Sequence, residues 1–328
     1  MITFENVTKR YPGGTVAVDD ISLEVPAGQT MVLVGPSGGG KTTTLRMINR
    51  LIDPTSGRIL LDGKDVRESD PALLRRGIGY VIQQAGLFPH RTIEDNIGTV
   101  PVLLMDEPFS AVDPIVRASL QDELLRLQSE LRKTVVFVTH DIEEAIKIGD
   151  QVALFRPHGK IAQLDTPQRL LTAPVDGYVE DFLGFDRGIR RLSFLAAETL
   201  DLDTSAIAGQ DSTAAQALAK ARSAGEEWVL MIDSERLPRG WIAVAELESL
   251  PGDTLLADVP HTAGLGHTFR ADTDSLRAAL DATVLSVTGQ AVGVDAAGRV
   301  VGVTSYNRLR AAIQRANAAP VPGGVPAS

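Results

Sequence analysis

Eight residues near the start of the chain, Gly35 to Thr42, have the types and spacing that bind the phosphates of a nucleotide. They read GPSGGGKT and fit the pattern G-x-x-x-x-G-K-[ST]. Glycines let backbone N–H groups approach phosphate oxygens, and a helix that follows directs its positive end at them. Lys41 can pair with the β- and γ-phosphates, and the Thr42 hydroxyl can bind Mg²⁺. The segment predicts an ATP–Mg²⁺ site, with a glycine-rich turn before a helix as the alternative.

Two acidic residues follow an apolar run later in the chain. Leu103, Leu104 and Met105 precede Asp106 and Glu107. A buried strand would place Asp106 at its end, where the carboxylate can hold Mg²⁺ through water, and Glu107 could polarise an attacking water. Alone, this pattern is an ordinary strand end. In a chain that also has the phosphate loop, it predicts a site that hydrolyses ATP.

Two further side chains are candidates for nucleotide contact. His140 ends the apolar run Val135–Thr139 and could reach the γ-phosphate, with a capping or surface histidine as the alternative. Tyr11 precedes a Pro-Gly-Gly turn, and its ring could stack on adenine. An ordinary half-buried tyrosine is the alternative there.

The elements that must position these residues alternate between strand and helix. Apolar runs predict buried strands at Met31–Val34, Val102–Met105 and Val135–Val138, and a hairpin around Asp62-Gly63 within Gly57–Val66. Apolar residues at helical spacing predict helices at Thr42–Leu51, Ile115–Leu131, Ile142–Ile148 and Tyr178–Gly184. This alternation is typical of a largely parallel sheet that helices cover on both faces. We therefore predict an α/β domain over residues 1–187.

The sequence changes in character after this domain. Trp228–Leu247 and Gln290–Leu309 both read as strand, polar turn, strand and helix. This repetition predicts one α+β domain of two similar halves over residues 188–318. The final residues, 319–328, are rich in proline and glycine and are predicted to be disordered.

Composition narrows the function classes. The net charge of −10 argues against a nucleic-acid-binding surface, which usually carries a basic stripe. The chain has no cysteine, so disulfides and thiolate metal sites are excluded. No apolar run approaches the ~18 residues of a membrane span, so work at a membrane would require a partner subunit.

Five motifs in this order resemble the ATP-binding subunits of ABC transporters. They are GPSGGGKTT (35–43), PTSGRILLDG (54–63), VIQQAGLFPHRT (81–92), LLMDEPFSAVDP (103–114) and VTHD (138–141). The resemblance covers residues 1–187 and implies the P-loop NTPase fold of an ABC ATPase with an antiparallel β subdomain. GLFPH and YVEDFLGFDR (178–187), followed by a repeat domain, are similar to importers of glycine betaine, choline, carnitine and related quaternary amines.

The resemblance also implies roles for single residues. Tyr11 matches the aromatic that stacks on adenine, Glu107 the catalytic base and His140 the histidine switch. Asp113 matches an aspartate that crosses a dimer interface, and Gln83 a glutamine that senses Mg²⁺ and the attacking water. Thr42, Gln83 and Asp106 are expected around Mg²⁺. The expected cradle for the phosphates of ATP consists of Gly35, Ser37, Gly38, Gly39, Gly40, Lys41, Thr42 and Thr43.

One part of the family pattern is missing. Members carry a helical subdomain with an LSGGQ-type signature between the glutamine and the Asp-Glu strand, but here Gln83 and Asp106 are only 23 residues apart. The sequence passes almost directly from Val100 into Pro101 and the strand. A partner's signature normally completes the γ-phosphate site, and one lost donor of this kind costs ~10²–10³ in rate. We therefore expect weak ATP binding and impaired hydrolysis, in an evolved short form or a damaged gene.

The repeat domain resembles a tandem pair of CBS domains. Members that bind adenosine nucleotides tend to have Gly-x-x-[Ser/Thr]-x-x-Asp, in which the aspartate binds ribose hydroxyls. The second repeat has Gly302, Ser305 and then Arg308, and arginine cannot accept a hydrogen bond. The first repeat ends its equivalent segment on Glu246 without the hydroxyl residue. We expect a dimerisation or regulatory module without a tight adenosine ligand, with a structural cap as the alternative.

The resemblance implies an ATPase subunit that couples ATP hydrolysis to uptake of quaternary amines. It would form a homodimer, bind integral membrane permease subunits, act indirectly with an extracytoplasmic solute-binding protein and lie on the cytoplasmic side of the membrane. One alternative is a nucleotide-binding regulatory protein or inactive remnant without transport activity. Another is an ABC-type protein that acts on DNA or ribosomes, which the acidic charge opposes.

Overall fold

The chain divides into two units, Met1–Phe185 and Asp186–Ser328. The first unit contains two β-sheets. The computed structural model describes residues 1–81, 100–259 and 263–318. Gln83 and the tail predicted to be disordered, residues 319–328, lie outside these ranges.

The strands of the first unit include every one that the apolar runs predict. They are β1 (Ile2–Arg10), β2 (Val16–Val25), β3 (Thr30–Val34), β4 (Ser56–Leu61), β5 (Lys64–Asp65), β6 (Ile78–Val81), β7 (Val102–Asp106), β8 (Thr134–Thr139), β9 (Gln151–Phe155) and β10 (Ile161–Asp165). The α-helices within its described residues are α1 (Lys41–Ile48), α2 (Pro71–Arg76), α3 (Pro114–Leu131), α4 (Ile142–Ile148), α5 (Pro167–Thr172) and α6 (Gly177–Leu183).

The larger sheet has the order β10-β9-β3-β8-β7-β6, and of these described strands only β10 pairs antiparallel. Every residue of β3, β7 and β8 is buried, as a central parallel strand requires when both faces of the sheet are covered. Met31 and Leu33 pack into the apolar cluster on one face, and Val32 and Val34 into that on the other. The predicted α/β domain with a parallel sheet is confirmed.

A second, antiparallel sheet of four strands has the order β2-β1-β4-β5. The predicted hairpin is present, because β4 and β5 pair across Asp62 and Gly63, which both have positive φ. The prediction for the helix after the phosphate loop was wrong at its end. Helix α1 ends at Ile48 because Arg50 adopts a left-handed backbone with a φ of 53°, and Leu51 is 49% exposed instead of facing the core.

The second unit consists of two halves with the same order of elements. The first half has β11 (Ile207–Gly209), α8 (Ala214–Ala224), β12 (Trp228–Ile232), β13 (Pro238–Ala243) and α9 (Val244–Ser249), after the short α7 (Arg187–Arg191). The second has β14 (Thr268–Arg270), α10 (Leu276–Leu285), β15 (Gln290–Val294), β16 (Val300–Ser305) and α11 (Tyr306–Ala318). The repetition predicted from the sequence is confirmed.

The pairing of strands repeats as well. In each half the first strand pairs parallel with the second, and the second pairs antiparallel with the third. The register shifts at the same place, after Met231 in one half and after Gly293 in the other. One apolar cluster contains residues of both halves, among them the fully buried Trp241 and Val292. The two halves therefore share a core and form one unit.

Candidate functional site

The phosphate loop connects β3 to α1, and its shape depends on glycine at two positions. Gly35 has a φ of 147°, and a Cβ atom there would lie 2.6 Å from the carbonyl oxygen of Phe155. Gly40 has a φ of 90°, and its Cβ would lie 2.1 Å from the carbonyl oxygen of Ala17. No other residue fits either place without moving β2 or β9.

Lys41 points back into this loop. Its Nζ donates hydrogen bonds to the carbonyl oxygens of Gly35 at 2.8 Å and Pro36 at 2.9 Å. Burial lowers the pKa of Lys41, while the nearby carboxylates of Glu107 and Asp106 oppose that shift. The ammonium group is thus held within the loop that a phosphate would enter.

Thr42 and Asp106 form the contact between the loop and the end of β7. The Thr42 hydroxyl donates to Asp106 Oδ1 at 2.8 Å. Burial raises the pKa of Asp106, whereas the hydrogen bond from Thr42 and the charge of Arg46 lower it. A hydroxyl and a carboxylate are hard oxygen ligands of the kind that Mg²⁺ takes, so this pair fits the metal that the sequence predicts.

Glu107 and His140 lie together at the ends of neighbouring parallel strands. His140 Nδ1 is 3.2 Å from Glu107 Oε2, and the Glu107 N–H donates to the carbonyl oxygen of Val138 at 2.9 Å. Glu107 has a φ of 50°, a left-handed conformation that is costly for a residue with a side chain. Because β7 and β8 run parallel, both side chains emerge at the same edge of the sheet.

One open cavity of about 360 Å³ connects most of the predicted nucleotide-binding residues. Its walls include both Tyr11 and Glu107. Of the predicted phosphate-binding residues, it contains Ser37, Gly38, Gly39, Gly40, Lys41, Thr42 and Thr43. Val16 and Ala17 add apolar surface beside Tyr11, where a flat base could lie.

Four predicted residues lie outside the cavity wall, and Gln83 lies outside the described residues. Gly35 precedes the part of the loop that lines the cavity, and its carbonyl oxygen accepts a hydrogen bond from Lys41 Nζ. His140 reaches the site through Glu107. Asp106 lies behind Thr42. Asp113 caps α3 by accepting a hydrogen bond from the Ile115 N–H at 3.0 Å, which is its role within a single chain.

Tyr11 is held at the cavity by a tight turn. Its N–H donates to the Thr15 carbonyl at 2.9 Å, and its own carbonyl accepts from Gly14 at 3.0 Å. The Lys9 ammonium lies 5.3 Å from the centre of the ring. The residue is 36% exposed, which leaves surface available for stacking.

His158 is a cavity residue that the sequence did not indicate. It lies in the turn between β9 and β10, has a φ of 68° and faces the same cavity as the phosphate loop. No motif marks the segment RPHGK. The only local signal is the glycine that follows, which suggests a turn and not a ligand contact.

In the second unit Arg308, which stands where the CBS resemblance would place a ribose-binding aspartate, forms ion pairs within the unit. Arg308 Nη2 lies 2.5 Å from Asp203 Oδ2, and Nη1 lies 3.5 Å from Asp201 Oδ2. The described ranges contain no group of three or more metal-binding side chains. They also contain no helix long and apolar enough to cross a membrane.

Comparison with known proteins connects this geometry to a family. A family model described as ABC transporter matches residues 18–151. The glycine betaine/carnitine/choline transport ATP-binding protein OpuCA of Bacillus subtilis (strain 168) is 37% identical over 320 aligned positions, which cover 79% of this chain and 84% of that protein. The choline transport ATP-binding protein OpuBA of the same strain is 38% identical, with 74% of this chain and 78% of the relative covered.

A third relative covers nearly the whole chain. The osmoprotectant import ATP-binding protein OsmV of Salmonella typhimurium (strain LT2) is 37% identical over 94% of this chain and 95% of its own length. Identity at this level over most of both chains is sufficient to assign a family, and the family predicted from the five motifs is confirmed. The chain belongs to the ATP-binding proteins of ABC transporters.

Proposed function

We propose that this chain is the ATP-binding subunit of an importer for quaternary amines such as glycine betaine, choline and carnitine. The observation that carries the proposal is the cavity in which the phosphate loop, Tyr11 and Glu107 meet. The names of the relatives OpuCA, OpuBA and OsmV support the substrate class. The subunit would act as a homodimer bound to integral membrane permease subunits on the cytoplasmic side of the membrane. An extracytoplasmic solute-binding protein would deliver the solute to those permease subunits.

Different residues of the site would bind different parts of ATP and its Mg²⁺. The Tyr11 ring stacks on the adenine, and the backbone N–H groups of the loop contact the phosphates at the start of α1. Lys41 places its charge beside the β- and γ-phosphates. Thr42 and Asp106 would hold Mg²⁺, which when bound neutralises charge on the phosphate chain.

Hydrolysis would depend on the pair at the strand ends. Glu107 accepts a hydrogen bond from a water and orients it toward the γ-phosphate, and the imidazole of His140 fixes the carboxylate from the other side. Gln83 is proposed to complete the water and Mg²⁺ site. Asp113 is proposed to reach the partner protomer, since it lies at the exposed start of α3.

We further propose that hydrolysis by this chain is slow because the signature segment is absent. Gln83 and Asp106 are 23 residues apart, and β7 begins at Val102, directly after Val100 and Pro101. The OpuCA alignment is 320 positions long although it draws on only 79% of the 328 residues of this chain. It therefore includes many positions at which OpuCA has a residue and this chain has none.

The second unit is proposed to be a CBS-type regulatory or dimerisation module over residues 188–318. Its two β-α-β-β-α halves around one core support this. The ion pair of Arg308 with Asp203 supports the absence of a tight adenosine ligand, because the side chain at the ribose position is a donor that is already paired.

Reconstitution tests the proposal. The chain is combined with its permease subunits in liposomes together with the solute-binding protein, and ATP binding, phosphate release and uptake of labelled glycine betaine, choline and carnitine are measured. Glu107→Gln is the control, since it keeps the shape of the site and removes the base. The proposal expects ATP binding, uptake of a quaternary amine and slow phosphate release above the control. ATP binding with no uptake and no release above the control would instead indicate the regulatory alternative.

A further inference from the structure

We propose that His158 is an additional nucleotide-binding residue that contacts the phosphate chain. The inference rests on the proposed function, because it assumes that the cavity holds ATP. His158 lies on the cavity wall together with the phosphate loop, Lys41 and Tyr11. Its side chain is exposed, and among the described residues it has no hydrogen bond or ion pair. The imidazole is therefore available to a ligand.

The turn that carries His158 is fixed in place. The Arg156 N–H donates to the Lys160 carbonyl at 2.7 Å and closes the turn. Gly159 is buried against β2, where an added Cβ atom would lie 2.2 Å from the Ala17 carbonyl oxygen. Lys160 pairs with Asp19 at 3.3 Å. The position of His158 relative to the start of β2 is thus determined by backbone packing.

The same turn also packs against the phosphate loop. A Cβ atom on Gly39 would lie 3.3 Å from the Arg156 carbonyl oxygen, and one on Gly40 would lie 3.3 Å from the Gly159 Cα. His158 stands between these two contacts in sequence. This location places it beside the last two glycines of the loop, whose N–H groups contact phosphates in proteins of this kind.

The backbone of His158 is itself unusual. A φ of 68° and ψ of 23° put it in the left-handed region, where most residues with a side chain are strained and asparagine is tolerated best. Such conformations concentrate at sites of binding and catalysis. An imidazole nitrogen can donate a hydrogen bond to a phosphate oxygen, and a protonated ring adds a positive charge.

The test measures binding of ATP, ADP, AMP and adenosine to the full-length chain by titration calorimetry. His158→Asn keeps a residue suited to the left-handed backbone but shortens the side chain and removes the imidazole. His158→Lys places a long hydrogen-bond donor at the same position. Arg132→Asn is the matched control, because Arg132 is also a basic, exposed residue at positive φ but lies at the end of α3.

We expect His158→Asn to weaken ATP and ADP binding about five- to tenfold, the effect of one charge-assisted hydrogen bond. His158→Lys should recover most of that loss, and adenosine binding and the Arg132→Asn variant should be unaffected. Equal ATP affinity of the wild type and His158→Asn would overturn the inference alone. An equal loss for adenosine would also overturn it, by moving the contact to the nucleoside. A wild type that binds no ATP would instead refute the proposed function.

Discussion

The hydroxyl of Thr42 donates a hydrogen bond of 2.8 Å to the carboxylate of Asp106, and this contact joins the phosphate loop to the end of β7. The two residues are 64 positions apart in the chain. They meet because β3, β8 and β7 are neighbours in a parallel sheet, whose carboxyl ends lie along one edge. Two of the three residues expected around Mg²⁺ are therefore already adjacent.

Substitution of Thr42 tests the assignment of this pair to Mg²⁺. Thr42→Val removes the hydroxyl with little change in shape, whereas Thr42→Ser keeps it. We expect Thr42→Val to lose most of the difference in ATP affinity between buffers with Mg²⁺ and with EDTA, because the metal loses a ligand. Thr42→Ser should keep that difference. A Mg²⁺ dependence that Thr42→Val leaves intact would place the metal elsewhere.

Alanine substitution at two loop glycines separates a clash from backbone strain. Gly40→Ala would place its methyl group 2.1 Å from the Ala17 carbonyl oxygen, whereas Gly38→Ala, with a φ of 77°, has no atom within 4 Å. Gly38→Ala should cost only the roughly 1–2 kcal/mol of a left-handed residue. Gly40→Ala should cost clearly more, because β2 must move. Urea unfolding followed by circular dichroism compares the two, and equal losses would contradict the described packing.

The role of Tyr11 can be tested by measuring both the ATP affinity and the melting temperature of its variants. If the ring stacks on adenine, Tyr11→Ala should weaken ATP binding by about 1–2 kcal/mol, and Tyr11→Phe should bind normally. The melting temperature should change little, since the residue is 36% exposed. If Tyr11 is only a half-buried structural residue, Tyr11→Ala would lower the melting temperature and leave ATP affinity unchanged.

The stability of the second unit should depend on pH because of Asp203. The backbone N–H and hydroxyl of Ser205, followed by the charge of Arg308, hold the pKa of Asp203 below its usual value. A lowered folded-state pKa contributes stability that is complete above the usual ~3.9 of aspartate and is lost as the pH falls through the lowered value. Asp203→Asn should therefore cost about 1–2 kcal/mol at pH 7 and progressively less toward pH 3.

Tryptophan fluorescence is a suitable probe for this experiment. The chain has two tryptophans, and both, Trp228 and Trp241, belong to the second unit. Asp281→Asn serves as the control, because Asp281 forms an exposed pair with Arg277 on α10 and should contribute little. If Asp203→Asn lowers the free energy of unfolding by the same amount at pH 7 and pH 3, the assigned charge interaction is wrong.

Features with a strong local signal were predictable from the sequence. The buried strands around the site are continuous apolar runs, and the phosphate loop is a glycine motif between such a run and a helix. The order of strand, turn, strand and helix in the second unit was visible because Trp228–Leu247 and Gln290–Leu309 repeat it. In each case the signal lies within about 20 residues.

Features that depend on distant packing were not predictable in the same way. Strands β11 and β14 have three residues each, too few for a periodic pattern, and they form through parallel pairing with β12 and β15. His158 was missed because its place at the cavity depends on the contact of Gly159 with Ala17, far away in sequence. The end of α1 depends on the left-handed backbone of Arg50, and the sequence has no glycine at this position that would predict it.

Lys41 uses two of its three ammonium hydrogens to hold the carbonyl groups of Gly35 and Pro36. The third hydrogen can bond to an incoming phosphate directly, and any further bond from the ammonium to the phosphate must displace one of those carbonyls. Each such further bond is an exchange of partners at Lys41, and the heat released by it is only the difference between two hydrogen bonds. The two hydrogen bonds also tie Lys41 to the backbone of the loop, so a variant without the ammonium loses rigidity as well as charge.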